Sequence, residues 1–215
     1  MPDQSDATCA GVQAKTAMFP FSTDLIAGCK RFALLAQSAK EPGDMRCWNS
    51  ACVMFAASAI ESRVNEWIAL AREIEGGPQP SEFWEEMTVL QKTLSLERKW
   101  NLIASVHGGE IWNGGMEPFQ SYETIVALRN ELVHFKGQFL EKNNAPNNRI
   151  RGLMSQLKIV SNSTFVEGDV SSWVSDLLEQ RSLGVWVESK VRHFYEALLG
   201  LLLGDPNKAT TINRY

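Results

Sequence analysis

The chain has 215 residues, 44% of them hydrophobic and 21% charged, and this ordinary globular composition excludes disorder of the whole chain. The formal net charge of −4 argues against a protein that coats nucleic acid non-specifically, because such binding depends on a basic surface. The length suits one domain.

The first third of the chain predicts two long helices after a loose N-terminal arm over residues 1–21. Helices are expected over 22–40 and 46–75, and the Glu41–Asp44 cluster between them is the break. The second helix carries one apolar face with 3–4 spacing. That face consists of Val53, Ala57, Ile60, Val64, Trp67, Ile68 and Ala71.

The middle third predicts further helices joined by a glycine-rich connection. One helix begins at Ser81 and continues, after a short break, over 97–106. The stretch 107–115 contains four glycines but lacks the Gly-Lys-Ser/Thr ending of a phosphate loop, so we interpret it as a helix-to-helix connection. The next helix is expected over 118–137.

The last third predicts a polar insertion followed by a final helix. Residues 141–172 are Asn-rich with turn signals, and 157–160 within them suit a brief strand or a helical turn. A helix over 183–203 and a C-terminal tail over 205–215 complete the chain. The sequence therefore predicts an all-α protein, an irregular up-and-down bundle of about five or six helices in a single domain over 22–204.

Several classes of protein find no support in the sequence. The four cysteines form no CxxC pair and lie near no histidine, so we expect reduced thiols packed as small hydrophobes, with no metal site and no cofactor. A positively charged leader and an apolar run of about 20 residues are both missing, and this predicts a cytoplasmic protein with no membrane partner.

The helix expected over 118–137 places a charged residue on its apolar side. With about 100° per residue, Arg129 lies inside the apolar arc, about 40° from Ile125. Asn130 and His134 lie just past the edge of that arc, one turn apart. An arginine in such a position extends its head to the rim, pairs with a carboxylate or meets a partner surface.

The long second helix offers a partner for Arg129. Glu61 lies beside its apolar stripe, and Asn65 lies one turn further on the same side. If the two helices pack through their apolar faces, Glu61 approaches Arg129. The pair is then either a structural clamp or a means of orienting a catalytic arginine, and the sequence leaves both open.

Arg129 and His134 together suit phosphoryl chemistry without a metal, because histidine exchanges protons near neutral pH and a guanidinium matches phosphate oxygens. The segment 129–134, Arg-Asn-Glu-Leu-Val-His, resembles the R-x4-6-H signature of the HEPN superfamily (higher eukaryotes and prokaryotes nucleotide-binding). The surrounding segments ALRNELVHFKG, AIESRVNEWI and ERKWNLI agree with it, and the resemblance covers about residues 45–140.

The resemblance implies a HEPN-like helical bundle that dimerises through the motif helix and brings two motifs into one cleft. It also implies a metal-independent endoribonuclease in which a ribose 2′-hydroxyl attacks the adjacent phosphate, with a role in defence, toxin–antitoxin or stress biology. His134 would act as general base or acid, Arg129 would bind the scissile phosphate, and Asn130 would orient either of them. An antitoxin or another regulatory protein is the further partner implied.

The alternative is a non-catalytic HEPN-type module that binds nucleotide or RNA or assembles with other proteins. Arg149, Arg151 and Lys158, in the polar insertion, form either a local basic patch for RNA or an ordinary solvated loop.

Overall fold

A computed structural model describes residues 18–73, 81–90, 92–134, 145–161, 165–166, 169–170 and 172–203. These residues form an all-α structure, as predicted, with a single two-residue antiparallel strand pair. The elements are α1 Phe21–Ser38, α2 Pro42–Glu73, α3 Ser81–Leu90, α4 Leu96–His107, α5 Phe119–Val133, α6 Asn148–Gln156, β1 Phe165–Val166, β2 Asp169–Val170, α7 Trp173–Leu178 and α8 Arg181–Leu203.

The central element is α2, which contacts α1, α3, α4, α5, α7 and α8. Its predicted apolar stripe is the middle of the core, since Val53, Ile60, Val64 and Ile68 are fully buried and only Trp67 of that stripe is partly exposed. The helix begins at Pro42, four residues earlier than expected. Proline suits a first helical position because its missing N–H would have no partner there. The break between α1 and α2 therefore includes only Glu41 of the predicted Glu41–Asp44 cluster.

Close packing among α1, α2 and α8 depends on glycines. A Cβ on Gly28 would lie 2.5 Å from the ring of Phe55, and one on Gly184 would lie 3.0 Å from Cα of Ala33. Cys29 and Cys52 lie at this junction as buried free thiols, with 3.6 Å between their sulfur atoms. Cys47 is exposed, contrary to the expectation that the thiols are packed in the core, and Cys9 lies outside the described residues.

The glycine-rich stretch is a helix-to-helix connection, as predicted. It leads from the end of α4 to α5, and Gly108 ends α4 in the left-handed region with φ of 69°. Trp112 returns from this connection into the core, where it is 9% exposed. Its backbone N–H donates to Asn101 and its indole N–H to Glu123, and these bonds fix the connection against α4 and α5.

The described residues contain eight helices rather than the five or six expected, because α6 and α7 were missed. Asn147, interpreted as a turn residue, accepts a hydrogen bond from the Ile150 N–H at 3.1 Å and so caps α6. None of the helices in the described ranges is long and apolar enough to cross a membrane.

Candidate functional site

The described end of α5 carries the predicted site residues at the boundary between core and solvent. Ile125 and Leu128 on this helix are each 1% exposed, whereas Arg129 is half-buried and Asn130 is exposed. Nη1 of Arg129 donates a hydrogen bond of 2.9 Å to Oδ1 of Asn130. The two neighbouring side chains therefore act as one polar unit at the surface.

His134 follows the helix instead of lying inside it. The expected helix extends to residue 137, but α5 ends at Val133, and His134 is its C-cap with φ of −102° and ψ of 20°. The His134 N–H donates to the Asn130 carbonyl at 3.0 Å, which holds the residue against the last turn. Its ring is exposed and has no hydrogen-bond partner among the described residues. Residues 135–144 lie outside them.

A strip of four residues runs along the outer side of α5. Glu123, Ala127, Asn130 and His134 follow one another at intervals of four, three and four residues, and such intervals place side chains on one helix face. We call these four residues the outer strip. Eleven residues separate its ends, which corresponds to about 16 Å along a helix.

Glu61 reaches α5 through Tyr122 and not through an ion pair with Arg129. The Tyr122 hydroxyl donates to Oε1 of Glu61 at 3.3 Å. Burial raises the pKa of Tyr122 well above its ordinary value, the Glu61 carboxylate raises it further, and the positive charge of Arg129 acts in the opposite direction. Among the described residues no ion pair within 4.0 Å joins Glu61 to Arg129. The two helices α2 and α5 therefore pack together, and the printed contact of Glu61 with α5 is to Tyr122.

Asn65 binds a buried lysine from a third helix. Nζ of Lys99, on α4, donates a 2.7 Å hydrogen bond to Oδ1 of Asn65, and Lys99 is only 8% exposed. Burial lowers the pKa of Lys99, and the nearby charge of Glu61 partly opposes that shift. Glu61, Asn65, Lys99, Tyr122 and Arg129 together form what we call the α2–α4–α5 cluster.

The sequence analysis does not predict Lys99 and Tyr122 as members of this cluster, although the sequence contains a signal for each. Tyr122 precedes Arg129 by seven residues, which places both on the same face of α5. Lys99 lies on the buried stripe of α4 together with Leu96 and Ile103, so a charge stands where the helix needs an apolar side chain.

Aromatic side chains hold Tyr122 rigidly. Its ring centroid lies 5.6 Å from that of Trp112 and 5.7 Å from that of Phe194. Trp100 extends this group of aromatic rings, since its ring centroid lies 4.8 Å from that of Phe119 and 5.4 Å from that of Phe194. The hydroxyl of Tyr122 thus projects from a packed aromatic group toward the surface carboxylate of Glu61.

The three predicted RNA-binding residues do not form one patch of free cations. Arg149, on α6, makes a salt bridge with Glu123 of the outer strip. Arg151, on the same helix, and Lys158, just beyond its end, are exposed, and Lys158 lies in the left-handed region with φ of 57°. Only Arg149 is thereby connected to α5.

No group of three His, Cys, Asp or Glu residues in the described ranges is arranged to hold a metal ion. Comparison with protein-family models, with curated proteins and with solved structures finds no match to this chain.

Proposed function

We propose that this protein is a HEPN-type, metal-independent endoribonuclease of the cytoplasm that acts in defence, toxin–antitoxin or stress biology. His134 accepts the proton of a ribose 2′-hydroxyl as that oxygen attacks the adjacent phosphorus. The bond from phosphorus to the 5′-oxygen breaks, and that oxygen takes up a proton from water. The products are a 2′,3′-cyclic phosphate and a 5′-hydroxyl, and the step uses only protein side chains and water.

The observation that carries this proposal is the state of Arg129. A structural arginine in a half-buried position is expected to be neutralised by a carboxylate. Arg129 instead has a neutral amide, Asn130, as its hydrogen-bond acceptor, and no carboxylate lies within 4.0 Å of it among the described residues. Its charge is therefore available to bind a scissile phosphate and to stabilise the charge that develops in the transition state.

The outer strip supports a path for an RNA strand. His134 and Asn130 at one end offer an exposed imidazole and an amide, and Ala127 beyond them leaves room for a close approach. Arg149 lies at the other end through its salt bridge with Glu123. A strand along α5 would thus meet the catalytic groups at one end and, about 16 Å away, the Glu123–Arg149 ion pair, whose arginine would have to exchange Glu123 for a phosphate.

A homodimer through the end of α5 is part of the proposal. Val133 is 47% exposed although it stands between the motif residues, and an apolar side chain in this position suits a contact with a second copy. A two-fold axis near Val133 would bring two Arg129–His134 pairs into one cleft. The same exposed valine favours the second candidate, a non-catalytic assembly module that uses the motif helix only as an interface.

The test is RNA cleavage in EDTA by the wild type and by His134→Ala, followed by analysis of the fragment ends. We expect cyclic-phosphate ends from the wild type and a rate at least about 100-fold lower for the variant, because general acid–base catalysis contributes on this scale. A DNA strand of the same sequence should remain intact, since it lacks the 2′-hydroxyl that acts as the nucleophile.

His193→Ala is the matched control, because His193 is an exposed histidine on α8 outside the cluster. Arg192→Ala is the control for Arg129→Ala, since Arg192 is 63% exposed at its side chain and its only ion pair within the described ranges is with Glu188. Both controls should cleave like the wild type. An active His134→Ala would contradict the mechanism. No cleavage by a folded, dimeric wild type would favour the assembly module, for which light scattering should show loss of dimer in Val133→Glu.

A further inference from the structure

A polar pocket lies between α5, α6 and α8, away from the end of α5 that carries the motif. Its volume is about 330 Å³, within the range of sites that bind small molecules. Helix α6 belongs to the polar insertion, which the HEPN resemblance does not cover. The residues that matter for the chemistry of the pocket are Gln120 of α5, Asn148, Gly152 and Gln156 of α6, and Trp186 of α8.

Helix α6 presents an open face to this pocket. Asn148, Gly152 and Gln156 follow one another at intervals of four residues, so they share one helix face, and all three are exposed. The two amide residues lie about 12 Å apart along the helix, with Gly152 midway between them. The backbone at Gly152 is therefore open to a planar group placed between the amides.

Neither packing nor backbone geometry explains the glycine at this position. A Cβ on Gly152 would meet no atom within 4 Å, and its φ is not in the left-handed region. Glycine in a helix interior is less favourable than alanine, so the fold loses stability here without a gain in packing. Glycine also allows a ligand to approach the backbone closely, and this use fits a position inside a pocket. Gly200 of α8 is equally open but does not line the pocket, so it provides a control.

The amides around Gly152 match the chemistry of a nucleobase. Gln120, Asn148 and Gln156 each combine a donor and an acceptor, and within the described ranges none of their side chains makes a hydrogen bond. The edges of nucleobases present adjacent donors and acceptors, and Asn and Gln bind such edges through pairs of hydrogen bonds. Trp186 is partly exposed while its Nε1 is buried, so it adds carbon surface to the pocket.

The charged residues of the pocket favour an uncharged ring over a phosphate. Glu117 makes a 2.7 Å salt bridge with Lys190, and Arg149 makes a salt bridge with Glu123. Both charges are therefore neutralised by partners, whereas the three amides have no partner in the described part of the chain. A nucleobase uses donors, acceptors and an apolar face for binding and does not require a charge.

Helix α5 connects this pocket to the motif. Gln120 precedes Glu123 by three residues and therefore extends the outer strip by about one turn. Fourteen residues separate Gln120 from His134, which corresponds to about 21 Å along a helix. A single strand that lies along α5 with its scissile phosphate at His134 would thus bring a neighbouring base to the pocket.

We propose that the pocket binds one nucleobase of a single-stranded RNA, with the ring over Gly152 and its edges bonded to the surrounding amides. The bases of a single strand are accessible to such a site, whereas those of a duplex are paired. That this RNA is the strand cleaved at His134 rests on the ribonuclease proposed above, whereas binding of the base itself does not. The pocket is then a specificity site, which selects the cleavage position by the base that it accepts.

The first experiment measures binding of the base alone. Adenosine, guanosine, cytidine and uridine are titrated to millimolar concentrations, and the side-chain NH₂ signals of the protein are followed by ¹H–¹⁵N NMR. We expect at least one nucleoside to shift the signals of Gln120, Asn148 and Gln156, assigned with their Leu variants. The signal of Gln37, an exposed amide of α1, should stay in place. If none of the four nucleosides shifts the pocket signals, the proposal is overturned, whatever the activity of the protein.

The variant Gly152→Ala separates binding from stability. Its methyl group occupies the space of the ring and should weaken nucleoside binding about tenfold or more, because the base can no longer reach the amides. The same variant should raise the free energy of unfolding. Gly200→Ala should also raise it and leave binding unchanged. Wild-type affinity in Gly152→Ala would overturn the proposal, and so would a loss of stability, which would mean that the fold itself needs this glycine.

The second experiment tests whether the bound base belongs to the RNA substrate. Fragment ends from mixed RNA are sequenced after cleavage by the wild type, Gly152→Ala and Gly200→Ala. We expect the wild type and Gly200→Ala to prefer one base at a fixed distance from the cleaved phosphate, and Gly152→Ala to lose that preference. An active Gly152→Ala with an unchanged preference would overturn the specificity role. If the wild type cleaves no RNA, the proposed function fails, and the NMR titration alone decides whether the pocket binds a base.

Discussion

Single residues in this protein are constrained most clearly where the backbone φ angle is positive. Gly108 has φ of 69°, and a Cβ built on it would meet no atom within 4 Å. Gly108→Ala should therefore destabilise the fold through backbone strain alone, by about 1 kcal/mol. Chemical denaturation with a two-state analysis would measure the loss in the free energy of unfolding.

Gly152 provides the opposite control. It lies inside α6 with ordinary helical φ, and a Cβ there would also meet nothing within 4 Å. Gly152→Ala should stabilise the protein by up to about 1 kcal/mol, because alanine loses less conformational freedom in a helix. If both substitutions changed the free energy of unfolding equally, the positive φ at Gly108 would not be the cause of the destabilisation.

At the scale of elements, the short helix α7 depends on its cap. Six residues are too few for a stable helix by propensity, so side-chain hydrogen bonds at its start matter. The hydroxyl of Ser172 accepts from the Ser175 N–H at 3.2 Å, and the Ser172 N–H donates to the Ser175 hydroxyl at 2.8 Å. Ser172→Ala should cost about 1 kcal/mol of unfolding free energy.

Ser189 on α8 is the matched position for this substitution. Its hydroxyl donates to the Trp186 carbonyl within a helix, where that carbonyl already has a backbone partner in reach, so Ser189→Ala should change stability far less. Hydrogen exchange of the α7 amides should also accelerate in Ser172→Ala. Unchanged exchange there, with unchanged stability, would contradict a stabilising cap.

The difference between long and short elements explains what the sequence predicted about the fold. The stripe of α2 repeats over about five turns, so its burial follows from spacing alone. In α6 the buried residues Ile150, Leu153 and Met154 follow the same spacing for only one turn. The surrounding asparagines favour turns by propensity, and packing of α6 against α5 outweighs that preference.

For the candidate site, the sequence indicated which residues share a face of α5 but not what meets them. The positions of Arg129, Asn130 and His134 relative to the apolar arc follow from helical geometry. The contact between Glu61 and Tyr122 and the burial of Lys99 arise only when α2, α4 and α5 pack together. Such contacts join residues 34 and 61 positions apart and leave no local pattern.

At the scale of the whole molecule, side chains join the ends of distant elements. Asn49 on α2 is fully buried and donates to the carbonyls of Leu178 and Gln180 at 2.7 and 3.0 Å, which ties the centre of the bundle to the turn before α8. Glu117, just before α5, accepts hydrogen bonds of 2.7 Å from Lys190 on α8 and from Ser121. The link through Glu117 depends on pH, because the Glu117 carboxyl has a lowered pKa.

Glu117 should make the stability of the bundle depend on pH in the acid range. Burial raises the pKa of Glu117, but hydrogen bonds from Lys190 and Ser121 and the charge of Lys190 outweigh that effect, so the net pKa lies below its ordinary value. A carboxylate with a lowered folded-state pKa stabilises the fold above its unfolded-state pKa of about 4.3. That stabilisation is lost as the pH falls through the folded-state pKa.

Thermal unfolding of the wild type and of Glu117→Gln between pH 7 and pH 2 measures this contribution. The difference in midpoint should be constant above about pH 5.5 and should shrink below about pH 4.3. Because the side chains of Lys190 and Glu117 are 20% and 36% exposed, the contribution is at most about 1 kcal/mol. Glu188→Gln, which breaks the exposed pair with Arg192, should show a smaller difference at every pH. A Glu117→Gln difference that persists unchanged at pH 2 would mean that shape, and not charge, links α5 to α8.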